Sequence, residues 1–429
     1  MKTWILPLAA SLIAAQPLVA QFKISSASGD GSLGWINAFK PGICTLESAG
    51  SPAGDWRTEQ NVYTTSSMGA VQVALPAANR FYRLLALDIS TNSPEAVNNL
   101  FSSYGVLRTI AGNGQFSVDG GNFWQPSYEG GPATEANLSR PHFAMADQAG
   151  NIFIVDKDSH SILKVTPDGL IHTVAGTHVG GDNGDGPAPG TSLQLNFPNG
   201  EWVRSDGTVY ILDTGNSKVR KLDTDGTMTT LFTVGSGIAT GRGLWVKDDE
   251  SLCYFCSGTD LRKRVPGNIS TLNNNFTELA NIVVTASGEI IATDRGDNKV
   301  YRVDTTGSNA GSRTRIAGNG STSAVVDGTP ALLNGLYGVR GVWPLPNGGY
   351  LLATHEGSQV LYMDPAGVLY MFVDGEAGDV HAGDGQWFHA PGLNVTEVRS
   401  VTMDHQGNIL ITENDFGYVR KIEFSRLQP

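Results

Sequence analysis

One phrase recurs along most of the chain. It has a glycine turn, an apolar strand that usually ends in an acid, a polar turn, and a strand carrying Lys or Arg. It runs from Gly150 to Asp156 and on through Ser161 to Val165, and again from Gly207 to Asp213 with Lys218 to Leu222. Glu250 to Cys256 is a degenerate copy. Gly288 to Asp294 precedes Lys299 to Val303, and Gly349 to His355 precedes Gln359 to Tyr362. Gly407 to Glu413 precedes Tyr418 to Ile422. The starts at 150, 207, 250, 288, 349 and 407 differ by 57, 43, 38, 61 and 58 residues. Six copies near a ~40-residue period, some with inserts, predict a closed ring of small antiparallel sheets.

Composition agrees with many short strands and tight turns. Gly reaches 53 of 429 residues and charged residues are 16 %, below the ~25 % of ordinary soluble domains. Apolar content of 40 % excludes a disordered chain. The fold class is therefore all-β: a six-bladed β-propeller with a small N-terminal β domain. Lys and Arg total 29 against 41 Asp and Glu, a formal net charge of −12. An acidic chain without clustered cations argues against nucleic acid as a partner.

Residues 1–20 read as a signal peptide. Lys2 supplies the positive end, Trp4 to Ala15 is an apolar run too short to span a bilayer, and Leu18-Val19-Ala20 precedes Gln21 as a cleavage site. No later stretch is apolar enough for an integral membrane span, so the expected location is secreted or periplasmic. Residues 22–90 form a small β domain, with alternation at Ala70 to Leu75 and a strand at Phe81 to Leu87. Residues 91–104 are a linker helix, capped by Ser93, with Pro94 in its first turn and Gly105 at its end. Three cysteines, Cys44, Cys253 and Cys256, are too few for a disulfide framework. Cys253 and Cys256 lie three apart on a strand, so their sulfurs should face opposite ways.

The phrases Asp147 to Val165 and Asp404 to Ile422 resemble the NHL-repeat family. So do Thr173-Val174-Ala175-Gly176, Arg315-Ile316-Ala317-Gly318 and the Gly-Pro-Ala segments at 130–134 and 184–188. The resemblance covers about residues 105–424. It implies a six-bladed propeller of the kind often used as an interaction module, and similar propellers include lactonases, esterases and an amidating lyase. The last copy stops at Phe424 after three strands. The strand at 105–111 should therefore complete the sixth blade and close the ring.

Aligned copies give two sets of residues facing one mouth. The opening position of each innermost strand holds His142, Asn199, Arg242, Asn281, Arg340 and Arg399. The end of each second strand holds Asp156, Asp213, Cys256, Asp294, His355 and Glu413. Four long connections, 112–137, 176–196, 318–336 and 374–396, fall at neighbouring blade junctions and should wall the same mouth; they carry Trp124 and Trp387. Two readings follow. In the first, a non-catalytic module binds an extracellular or periplasmic protein, a glycan or a small anionic ligand through the six opening residues, Trp124 and Trp387, the arginines clamping an anion. In the second, a metal-assisted hydrolase or lyase holds a divalent cation, Ca or Zn, on His142, Asn199, Asn281, His355 and Glu413. No cofactor is firmly implied. Asp182 to Gly186 resembles part of a calcium loop but lacks the later bidentate Glu.

Overall fold

Six antiparallel meanders follow one another in a computed structural model that describes residues 21–73, 80–115, 118–375 and 381–426. The expected signal peptide and the end of the Ala70 to Leu75 strand lie outside the described residues. Blade 1 is built from Pro141–Ala146, Ile152–Asp156, Ser161–Val165 and Ile171–Ala175, innermost strand first. The innermost strands of blades 2 to 6 are Pro198–Val203, Leu244–Val246, Leu279–Val284, Val339–Pro344 and Val398–Met403. Each touches the innermost strands of both neighbouring blades, and the sixth touches the first, so the ring is closed. Blade 6 takes its outer strand, Leu107–Ala111, from the other end of the repeat region, paired antiparallel with Tyr418–Ile422.

Strand residues alternate between the two faces of each blade, so apolar residues meet apolar residues of the next blade. Phe143, Met145 and Val155 of blade 1 pack with Val203, Val209 and Ile211 of blade 2. The same pattern recurs at the other junctions, for example Ile282, Ile290 and Ala292 of blade 4 against Tyr254 and Leu261 of blade 3. Cys253 belongs to the cluster between blades 2 and 3 and Cys256 to that between blades 3 and 4. The two thiols thus point apart, all three cysteines are free and buried, and burial pushes Cys256 up to about 12.

The inserts behave differently from the expected wall. Ala188–Pro189 adds a fifth strand to the outer edge of blade 2, and Thr329–Pro330 does so for blade 5. Pro132 makes the matching bridge to Leu170 on blade 1. A single 3-10 turn follows each time, at Ala133–Glu135, Gly190–Ser192 and Ala331–Leu333. The outer strand of a blade presents unpaired N–H and C=O groups, and covering that edge outweighs roofing the mouth. Part of each of these three inserts therefore lies along the outer edge of its blade.

The other compact unit takes in the described residues up to Val106, with Pro346–Gly348 and the residues from Glu423 onward. Two three-stranded sheets, Lys23–Ala27 with Ser32–Ile36 and Gly69–Gln72, and Arg57–Thr64 with Gly42–Ala49 and Phe81–Asp88, enclose Leu33, Trp35, Cys44, Leu46 and Val71. The helix is shorter than its sequence signals, Ala96–Phe101, with Glu95 at the N-cap and no side-chain cap. Among the described residues no helix is long and apolar enough to cross a membrane.

Candidate functional site

The six opening residues gather at one end of the ring and are nearly sealed from solvent: His142 3 %, Asn199 6 %, Arg242 7 %, Asn281 1 %, Arg340 5 % and Arg399 7 % exposed. The chain steps into these strands through left-handed residues. Arg140, Phe197, Gly338 and Glu397 have φ of 62°, 46°, 67° and 46°, each two residues ahead of its ring residue. Three of the four are not glycine, and a side chain tolerates that region only where its surroundings hold it.

Hydrogen bonds assign the states of the first pair. Asn199 Nδ2 donates to the Gly241 carbonyl at 2.8 Å, so its Oδ1 is left to accept from His142 Nδ1. Burial, then the Arg242 and Arg399 charges, hold His142 well below the ordinary imidazole range. The ring is neutral, and its buried Nε2 is an acceptor without a partner among the described residues.

Arginines make the rest of the ring. Arg340 donates to Glu356 at 3.1 Å, and Arg295 reaches the same carboxylate at 2.9 Å. Arg242 and Arg399 have no carboxylate within ion-pair distance among the described residues, and their Nε atoms are buried without partners. Burial and the mutual repulsion of Arg242, Arg340 and Arg399 push the first well below the usual guanidinium range, and Arg399 down to about 9. Beside Arg399, burial and the adjacent Asp415 raise Glu397 to about 8. Burial resists ionisation of Asp415, but the hydrogen bond with Glu397 and the charge of Arg140, 3.0 Å away, pull it lower.

The second set serves the frame. Asp213 accepts the Asn196 N–H at 2.8 Å. Asp294 accepts those of Thr277 and Glu278 at 2.9 and 2.8 Å, and Glu413 accepts that of Thr396 at 2.8 Å. Each acid fastens the segment that leads into its own innermost strand, and so fixes the ring residue a few positions on. Asp156 differs. Both of its buried carboxylate oxygens lack a hydrogen-bond partner among the described residues, and burial raises it to about 7. An acid raised above its unfolded value near 3.8 destabilises the fold as pH climbs from about 4 through about 7, because only the unfolded state ionises easily. We expect Asp156→Asn to flatten that fall and to melt higher than the parent at pH 8. Parallel melting profiles at pH 4.5 and pH 8 would refute it.

The five candidate metal ligands do not act as a set. His142 and Asn199 bond to each other. The Asn281 side-chain oxygen accepts the Ile282 N–H at 2.8 Å, and Glu413 is taken by Thr396, by His381 at 2.7 Å and by Arg420 at 3.1 Å. His355 lies 3.5 and 3.7 Å from Glu356 and Glu397, and burial lowers it to about 3. No group of three His, Cys, Asp or Glu among the described residues is placed to share an ion. The calcium-like loop is filled by cations of the protein: Lys218 sits 2.6 and 2.7 Å from Asp182 and Asp185.

The aromatic wall is packing. Trp124 is 8 % exposed, within the cluster between blades 6 and 1, and stacks on His178 at 4.8 Å. Trp387 is half-buried, edge-on to Phe388 and His389. Trp124, expected as a ligand contact, is packed into this cluster, while Trp387 keeps part of its surface open. Residues the repeat alignment passed over are Arg140, Arg295, Glu356, Glu397 and Asp415. They stand two before a ring position, or one or two after a strand-end position, so extending the same alignment by two residues each way would have found them.

No protein-family model matches the chain, and no curated protein matches it. Solved structures do. A Bacteroides thetaiotaomicron protein of unknown function matches with a TM-score of 0.58 and 12 % identity, over 91 % of this chain and 93 % of its own. An auxiliary nutrient binding protein from Bacteroides ovatus gives 0.56 and 12 %, over 91 % and 93 %. Another from Bacteroides thetaiotaomicron gives 0.55 and 13 %, over 95 % and 97 %. The chain is a β-propeller protein. At these identities the likeness concerns the fold alone.

Proposed function

We propose that the chain is an exported NHL-type propeller that acts as a non-catalytic binding module, taking an anionic ligand at the ring of His142, Asn199, Arg242, Asn281, Arg340 and Arg399. One observation carries this: Arg242 and Arg399 are buried beside Arg340 with no carboxylate within ion-pair distance among the described residues. A lone buried charge costs several kcal/mol, and a ligand carboxylate, sulfate or phosphate would offset that through bidentate hydrogen bonds. The unpartnered acceptor on His142 adds a condition. The ligand should carry a hydroxyl or N–H near its anionic group, as a hydroxy acid or a uronic-acid glycan does. The binding role also fits the two similar structures described as auxiliary nutrient binding proteins. Metal-assisted hydrolysis has less support, since Glu413 is taken by the frame and no three His, Cys, Asp or Glu among the described residues are placed to share an ion.

Thermal melts with sulfate, citrate and a trimer of galacturonic acid test the reading. At least one should raise the midpoint saturably, since a ligand at 100 times its Kd adds about 2.7 kcal/mol. Arg242→Gln should abolish that rise while itself melting above the parent without ligand, because an uncompensated charge is gone. No response to any probe, together with a lower-melting Arg242→Gln, would sink it.

A further inference from the structure

The ring has a second mouth. An innermost strand such as Pro141–Ala146 rises ~3.3 Å per residue, so its far end lies on the order of 13 Å from His142. There, residues of blades 1, 2, 3, 5 and 6 enclose a cavity of about 460 Å³, within the ~300–1,000 Å³ typical of small-molecule sites. Trp343 closes it from the ring side. Its indole comes from blade 5, packs in the cluster between blades 4 and 5, and also packs in the cluster between blades 1 and 2 on the other side of the axis. The two mouths are separate sites.

The floor of the cavity is formed by the half-buried indoles of Trp202 and Trp343 with the thioethers of Met145 and Met403. Its rim is polar: Asp206 and Asp248 face it together with Arg204 and His405. The rim carries both signs, two carboxylates against one guanidinium. Arg204 is also held in place, donating to the carbonyls of Lys247 and Asp248 at 2.9 and 2.6 Å and lying over the Tyr210 ring at 4.8 Å. Asp206 keeps one carboxylate oxygen for its own turn, accepting the Thr208 N–H at 2.9 Å. The Asp248 side chain is fully exposed at the edge.

We propose that this far mouth binds a neutral sugar ring, a function apart from the anion site. Flat indole faces suit the apolar C–H face of a pyranose, and rim carboxylates with a fixed guanidinium suit its hydroxyls. A simple cation would gain from the indoles and the two acids but would meet Arg204 at the same rim. A simple anion would meet Asp206 and Asp248. An uncharged polyol with one apolar face meets neither conflict.

The test is tryptophan fluorescence of the whole chain, titrated with cellohexaose, maltohexaose, xylohexaose, mannohexaose and chitohexaose, and with tetramethylammonium. At least one sugar should give a saturable change and tetramethylammonium none. Trp343→Ala should remove the change. Because Trp343 also packs, Asp248→Ala is the second variant: it should weaken binding at least fivefold with an unchanged melting point. Arg242→Gln should leave sugar binding intact, which separates failure here from failure of the anion reading. No saturable response to the five sugars, a response only to tetramethylammonium, or a sugar response that survives both Trp343→Ala and Asp248→Ala would overturn the proposal.

Discussion

Arg220→Ala should lower the melting midpoint more than any other single side-chain truncation on blade 2. Arg220 is wholly buried. Its Nε meets Asp213 at 3.0 Å, its Nη1 donates to the Gly184 carbonyl and to Thr230 at 2.7 Å each, and its Nη2 meets Asp182 at 3.2 Å. One guanidinium thus ties the insert loop, the second strand and the outer strand together. Truncation leaves the buried Asp213 without its cation, a class of change that costs about 3–5 kcal/mol. That converts to a fall of about 5 °C in a chain of this size. The 182–185 segment should also become the first site of proteolysis, since Asp182 and Asp185 lose an anchor. Arg420 occupies the same place seven residues after Glu413 and should behave likewise. A midpoint within a degree or two of the parent would mean that the network is solvated and weak.

Gly200→Ala should damage fold and ring together. A Cβ at this position would lie 1.8 Å from the carbonyl oxygen of Arg242 and 2.7 Å from its carbonyl carbon. That is backbone of the neighbouring innermost strand, which cannot swing aside as a side chain can. Overpacking in cores costs about 1–3 kcal/mol when side chains can yield, so this change should exceed that range. It also displaces Arg242, so the anion-induced rise in melting should vanish. Gly235→Ala is the control, because a Cβ there meets nothing within 4 Å; it should leave both readouts unchanged. Equal effects from the two substitutions would show that close approach of the inner strands is not what holds the ring.

The sequence carried the ring but not its lining. The six phrases are the second and third strands of the six blades, because a buried blade needs the same alternation each time. Aligning them placed His142, Arg242, Arg340 and Arg399 at one mouth. The phrase could not say which groups meet across blades. Arg295 pairs with Glu356, and Arg140 with Asp415, through the curvature of the ring rather than through spacing along the chain. Trp124 read as an open aromatic because a Gly-rich insert looks solvent-facing. The preference of an exposed blade edge for a further strand drew those inserts outward instead, and Trp124 was folded under them. The acids at strand ends were visible, but their use as acceptors for backbone N–H groups depends on loops whose path no periodicity reports.

Joining Leu107–Ala111 to Tyr418–Ile422 makes late-made residues partners of early ones. The intervening segment spans about three hundred residues, and loop-closure entropy grows only as the logarithm of that length, so the seam costs little more than a shorter one would. Its timing is the larger effect. Five blades can assemble in order as they emerge, but the sixth waits for Tyr418–Ile422. A ribosome-bound chain is therefore an open crescent with a free edge until Tyr418–Ile422 emerges to meet Leu107–Ala111.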